Sequence, residues 1–272
     1  MTDAASFDAW LTPTRVDEGR FAWHVPPGME QGRATFGGLV LGALTRAMRM
    51  AEPDAERRLR WLAGELVGNV GVGPATIDVA LVRRGGAVST WRAELRQGDG
   101  VAAHASGIFG APRSLPDLPA AVSARRLAPP VLPPWRELAP MPPVPIAPAF
   151  TRHFEYRVHA TLPFSGASEA LTTGYVRPRA ATAIHDDALL VALADAWWIA
   201  AMVVLPRPRP AATLGFELEL HAAPETLVWD EPLAHRGELL ALSDGYASET
   251  RELWTPDGRL VCLNRQLVAI IK

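Results

Sequence analysis

The segment Trp91-Arg-Ala-Glu-Leu-Arg-Gln-Gly-Asp-Gly-Val-Ala-Ala-His104 reads as a strand-like run, a turn carrying Asp99-Gly100 and a second apolar run. It recurs in outline as Thr250-Arg-Glu-Leu-Trp-Thr-Pro-Asp-Gly-Arg-Leu-Val-Cys-Leu263, with its turn at Asp257-Gly258. Asp-Gly between two such runs signals a β-hairpin, because both residues accept the backbone angles of a tight turn. Upstream of each copy stands another strand candidate, Thr76–Val82 in one half and Glu238–Ser243 in the other. Further upstream come Trp61–Val67 and Thr213–His221, the latter alternating apolar and polar at period two. Before those strands, each half holds one long apolar helix candidate. The first runs from Gly37 to about Ala51 and is stopped by Pro53. The second starts near Asp186-Asp187, as cap and first-turn acids, and runs through Leu189–Leu205 to Pro206. A helix apolar nearly all round belongs inside something. The pattern predicts an α+β fold of two antiparallel sheets, each wrapped around one long buried helix.

The two copies flank a proline-rich stretch. Twelve of the chain's 25 prolines fall between Pro112 and Pro148. Proline has no amide hydrogen and a fixed φ, so neither a helix interior nor a central strand passes through. Leu132, Trp135, Met141 and Ile146 within it predict a strap lying on the protein surface. The expected units are therefore 1–111, a linker at 112–148, and 149–272, each half of ordinary domain size.

Composition removes several function classes. The 272 residues are 49% hydrophobic and 21% charged, near the globular average, which excludes disorder and coiled coil. A formal net charge of -2 gives no electrostatic reason to bind nucleic acid or an anionic membrane. All basic residues but Lys272 are Arg, and they are spread along the chain instead of clustered. The single cysteine, Cys262, forbids an internal disulfide, and no Cys/His cluster suggests a metal; neither metal nor cofactor is expected. Acidic residues at the N-terminus, where a leader would be basic, predict a cytoplasmic protein. Leu189–Leu205 is somewhat short for a membrane span and carries Asp195 near its middle, so insertion is not expected.

Asp195 is the one ionisable group in that run. A buried carboxylate costs several kcal/mol unless it is bonded or paired, so it either sits on a minor polar face, forms a structural pair or carries function. Thr35-Phe-Gly-Gly-Leu-Val-Leu-Gly-Ala-Leu44 resembles the Phe-Gly-Gly opening of the first helix in acyl-CoA thioesterases of the thioesterase II type, which are double hotdog proteins. The order of elements is similar over nearly the whole chain. The resemblance implies a catalytic trio: the family's helix Asp falls on Asp195, its strand-opening Thr on Thr213 and its last-strand Gln on Gln266. Leu214–His221 and Leu267-Val268 depart from the family's usual continuations after the Thr and the Gln.

The implied activity is hydrolysis of acyl-CoA-like thioesters. A carboxylate, a hydroxyl and an amide can hold and polarise one water from three directions. Gly37 and Gly38, without side chains at a helix start, are the expected substrate-binding amides for the thioester oxygen; a tight turn is the simpler use of the same glycines. The alternatives are an acyl-CoA binding protein without turnover and, behind it, a hotdog hydratase or dehydratase. No G-x-S-x-G, P-loop, HExxH or G-x-G-x-x-G is present. His104 and His185 read as surface or core residues, with a place near the site as the alternative; Trp197-Trp198 read as core, with one of them lining an acyl tunnel as the alternative; and Arg177, Arg179, Arg207 and Arg209 read as loop charges, with CoA phosphates as their alternative use. Two hotdogs in one chain would mimic a two-chain dimer, with their sheets joined side by side, and exposed sheet edges and outer faces predict a homo-oligomer.

Overall fold

The computed structural model describes residues 6–113 and 127–271. The first five residues, part of the N-terminal segment read for a leader, lie outside the described residues, as do linker residues 114–126 and Lys272. The first half opens with α1 (Phe7–Trp10), β1 (Thr14–Asp17) and β2 (Arg20–Val25). A small strand pair, β3 (Glu30–Gln31) and β4 (Ala34–Thr35), leads into α2 (Gly37–Ala51). Then come β5 (Arg58–Leu66), β6 (Gly73–Arg84), β7 (Val88–Gln97) and β8 (Gly100–Gly110). The second half holds β9 (Phe154–Ala160), β10 (Leu171–Pro178), α3 (Asp187–Asp195), β11 (Ala211–Leu220), β12 (Leu233–Ser243), β13 (Tyr246–Trp254) and β14 (Leu260–Ile270). Both hairpins form at the Asp-Gly turns, as β7–β8 and β13–β14.

The expectation of two separate sheets gives way to the side-by-side joining that the resemblance implies. One sheet of twelve strands runs β1-β2-β6-β7-β8-β5-β11-β14-β13-β12-β10-β9. At its middle β5 and β11 pair antiparallel, from Gly215↔Glu65 to Glu219↔Trp61. Either strand alone would be an edge with unpaired backbone groups, and joining the two removes both edges. Read outward from this seam, the two sides place their strands in the same order, so the repeat in the sequence is also a repeat in space. On the inner face Phe21, Trp23, Leu95, Ala103, Phe216 and Leu218 are buried against the helices. Every residue of α2 from Gly37 to Met48 is buried, as is every residue of α3.

The second helix is also shorter than expected. It ends at Asp195, not near Leu205, and the chain continues through Trp197-Trp198 into a 3-10 turn at Ala200–Val203. Side chains take the groups that a longer helix would use. Arg251 donates to the carbonyls of Ala194 and Asp195, the Tyr156 hydroxyl to that of Ala196, and the Ala200 amide turns away to Glu249. A helix stops where its last carbonyls find such partners. Among the described residues no helix is long and apolar enough to cross a membrane.

The described part of the linker lies on the second half, as its apolar residues predict. Pro133 accepts from the Tyr175 hydroxyl at 3.0 Å, Met141 donates its amide to Tyr156, and Trp135 lies under the guanidinium groups of Arg157 and Arg177.

The start of α3 carries a testable cost. Asp186 caps it, accepting from the Leu189 amide, while Asp187 is buried with one oxygen on the Leu59 amide at 2.8 Å and the other unpaired. Burial pushes the Asp187 carboxyl up to about 6, against the pull of that amide. A carboxyl raised in the folded state contributes stability below its unfolded value, and that stability is lost as pH rises through about 6. Asp187→Asn is therefore expected to raise stability by about 2–3 kcal/mol at pH 8 and by almost nothing at pH 4. Thermal melts of both proteins across that range check it.

Candidate active site

The start of α2 is fixed from both sides. Thr35 donates both its amide and its hydroxyl to the Val70 carbonyl, and the Phe36 amide goes to Met29. Phe36 stacks on Phe150 of the second half, centroids 4.1 Å apart and planes at 5°. Phe36 occupies the cap position and its ring cannot bond the first amides of α2; the Gly38 amide goes to Asp195, which leaves that of Gly37.

What they face is the end of α3. A Cβ on Gly37 would stand 3.0 Å from Oδ2 of Asp195, and one on Gly38 would stand 2.9 Å from both the Ala192 carbonyl oxygen and the Asp195 Cβ. The glycines are thus required by the close approach of a second helix. A tight turn alone would leave room for other residues.

Gln266 links the other two residues of the trio. Its Nε2 donates to Asp195 Oδ1 at 2.9 Å, and its Oε1 accepts from the Thr213 hydroxyl at 3.1 Å. Strand β14 aims Gln266 inward beside Asn264, whose Oδ1 takes a further bond from Gln266 at 3.0 Å. Asn264 is itself held by the Glu217 carbonyl at 2.8 Å. The structure therefore brings Asp195, Thr213, Gln266, Gly37 and Gly38 to one place, drawn from both halves of the chain.

Burial pushes the Asp195 carboxyl upward, while Arg251, the Gln266 bond and the Gly38 amide oppose the shift. Asp195 is 7% exposed, so it sits at the limit of solvent reach. Arg251 approaches Oδ1 at 3.3 Å and is bonded to Glu249 at 2.6 Å. Sequence reading missed Arg251, Glu249 and Asn264. Their signal was polar residues at inward positions, Glu249 and Arg251 alternating with exposed or half-buried neighbours on β13, and Asn264 two residues before Gln266 on β14.

The weaker candidates take ordinary places. His104 pairs with Glu65 at 3.4 Å, and His185 stacks on Trp229. Trp197 packs between Tyr156 and His235 in the core. Arg177 bonds Glu155 and the Asp230 carbonyl, Arg179 bonds the Arg152 carbonyl, and Arg207 is exposed. A groove of about 480 Å3 crosses the β5–β11 seam and shares Gln266 with the trio. Among the described residues no group of His, Cys, Asp and Glu is placed to hold a metal ion.

Two family models match the chain: the acyl-CoA thioesterase N-terminal domain over residues 25–110 and the acyl-CoA thioesterase C-terminal domain over residues 125–270. The chain belongs to the acyl-CoA thioesterase family. As a member of it, the protein is a thioester hydrolase. No curated protein matches the sequence. Solved structures share the hotdog fold with this thioesterase. A conserved protein of unknown function with hot dog fold from Alicyclobacillus acidocaldarius superposes with a TM-score of 0.86 at 24% identity, covering 100% of this chain and 99% of the other. A putative thioesterase II from Thermobifida fusca YX gives 0.82 at 23%, covering 98% and 97%. The acyl-CoA thioesterase II TesB2 from Mycobacterium marinum gives 0.76 at 17%, covering 98% of each chain.

Proposed function

We propose that this chain is a double hotdog acyl-CoA thioesterase that hydrolyses its substrate by direct attack of water, with Asp195 as general base and Thr213 and Gln266 holding the water. In this reading 1–111 and 149–272 are two hotdog units joined by the strap 112–148. The observation that carries the proposal is the bridge through Gln266, bonded to Asp195 on one side and Thr213 on the other, facing a helix start without side chains.

The bond directions matter. Thr213 spends its proton on Gln266 Oε1, so its oxygen is left to accept from a water. Gln266 spends Nε2 on Asp195 Oδ1, which leaves Oδ2 toward α2. Water gives a proton to Asp195 as its oxygen bonds to the acyl carbon; the C–S bond then breaks, and the CoA sulfur leaves and takes up a proton. The products are a carboxylic acid and free CoA. Negative charge gathers on the acyl oxygen in between. The first amides of α2 and the positive end of its dipole stabilise that charge, with Gly38 also supporting the carboxylate and Gly37 left to the substrate.

The opposite end of the helix pair supports a single site per chain. There the start of α3 meets Asp186 as its own cap, and Arg46 closes on Asp186 through a fork of 2.9 and 2.7 Å. There a carboxylate and its ion pair occupy the place beside the first amides that an acyl oxygen would take.

CoA release from a panel of acyl-CoAs tests the reading. The wild type is expected to turn over, and Thr213→Val and Gln266→Met to lower kcat by about 10- to 100-fold each, the worth of a hydrogen bond to a charged or reacting group. Tight binding of acyl-CoA by the wild type with no release of CoA would select the binding protein instead.

A further inference from the structure

The two oxygens of Asp195 have different surroundings. Oδ1 receives Gln266 at 2.9 Å and Arg251 at 3.3 Å, whereas Oδ2 lies beside the start of α2. We propose that Arg251, braced by Glu249, is a positioning residue for the hydrolysis: by taking Oδ1 it fixes the carboxylate and leaves Oδ2 as the oxygen that receives the proton of the water. This rests on Asp195 being the base.

Arg251 is anchored independently of Asp195. It is 2% exposed, its Nε donates to Glu249 Oε1 at 2.6 Å, and its Nη1 also reaches the Asp195 and Ala194 carbonyls that end α3. Glu249 is in turn held by the Ala200 amide at 2.8 Å. The guanidinium therefore fixes backbone and side chain of Asp195 together, and a 1 Å misplacement of a reacting group is enough to cost about 100-fold in rate.

Charge accounting separates this role from a structural one. Glu249 and Arg251 already form a neutral pair, so an ionised Asp195 makes the buried group net negative, a state that purely structural packing has no reason to keep. The charged groups facing Asp195 are Arg251 and Glu249 on β13 and the positive end of α2. Tyr156 on β9 faces it and His235 on β12 faces Arg251, both in neutral form, because burial pushes the Tyr156 phenol up and the His235 imidazole down. Gln266 and Asn264 on β14 and Thr213 on β11 do not titrate. Burial pushes the Asp195 carboxyl up; Arg251 is the largest opposing influence, and Glu249 adds to the rise. The two braces thus act on Asp195 in opposite directions.

The test is the pH profile of kcat/KM for acyl-CoA hydrolysis by wild type, Arg251→Met, Arg251→Lys and Glu249→Gln, with Asp195→Asn as reference. Arg251→Met is expected to move the acid limb up by about one pH unit or more, so that the rate on the acid side of the limb falls about tenfold or more and recovers as pH rises. Arg251→Lys restores most of the limb position. Glu249→Gln moves the limb the other way, toward lower pH. A loss equal at every pH in Arg251→Met, with an unmoved limb in Glu249→Gln, overturns the proposal. If Arg251→Met does not fold, the direction of the Glu249→Gln shift decides alone. Should Asp195→Asn retain the wild-type rate, the base itself is misassigned and this role falls with it; an inactive Asp195→Asn with unmoved limbs overturns the positioning role only.

Discussion

Asp195→Asn is expected to lower kcat for acyl-CoA hydrolysis by about 10²- to 10⁴-fold, the usual worth of a positioned general base. The substitution is close to isosteric, so what it removes is the proton acceptor. It also disturbs the water site, because an amide nitrogen placed at Oδ1 would confront two donors, Gln266 Nε2 and Arg251 Nη1. The Asn therefore settles with its oxygen toward these donors and its amide nitrogen toward α2, where Oδ2 stood. That places a donor where the reaction needs an acceptor. Stability should change little, since the change removes the charge that burial opposes and leaves Arg251 paired with Glu249, while the new amide nitrogen loses the bond from the Gly38 amide. The wild-type rate should also fall on the acid side. The working form is the carboxylate, and activity is lost as pH drops through a carboxyl value that burial has raised. Thiol release measures the rate and a thermal melt measures the fold; equal rates for the two proteins would remove Asp195 from the mechanism.

Much of this site was legible because its residues break local rules. A carboxylate near the middle of an apolar run and two glycines at the start of another are conspicuous against period-3.6 patterning. Gln266 and Thr213 carry no such mark, being polar residues on strands like many others, and only resemblance to a family singled them out. The sheet seam too was legible only through that resemblance, for a different reason. Whether β5 and β11 remain edges or pair depends on the approach of two halves far apart in sequence, and no local pattern records it. The early end of α3 failed in the same way. Ala196–Leu205 is as apolar as the helix before it, and its backbone is diverted by Tyr156 on β9 and by Glu249 and Arg251 on β13, two strands distant in sequence. Arg251 and Glu249 look like surface charges until the pairing of β13 turns them inward.

Gly38→Val is expected to damage both fold and activity, with activity the more affected. In an ordinary helix interior, replacing glycine gains stability, about 1 kcal/mol for alanine. Here the new Cβ would run into the Phe36 ring and would lie 2.9 Å from the Ala192 carbonyl oxygen and 2.9 Å from the Asp195 Cβ, too close for all three. One neighbour is helix backbone, which cannot rotate aside as a side chain can, so α2 and α3 must separate. Overpacking of this kind costs about 1–3 kcal/mol, and the two methyl groups of valine add to it. The separation moves Asp195 away from the α2 amides while Gln266 and Arg251 stay on their strands, and a displacement of 1 Å in such a site costs about 100-fold in rate. Gly38→Ala should show the same sign in smaller measure, reversing the gain that helix propensity alone would give. Gly86→Ala is the control, since a Cβ there meets nothing within 4 Å. The comparison to make is kcat against melting temperature across the three variants. If Gly38→Val loses activity only in proportion to unfolded protein, the contact between the helices is structural; a folded variant with a collapsed kcat places the α2 start in the chemistry.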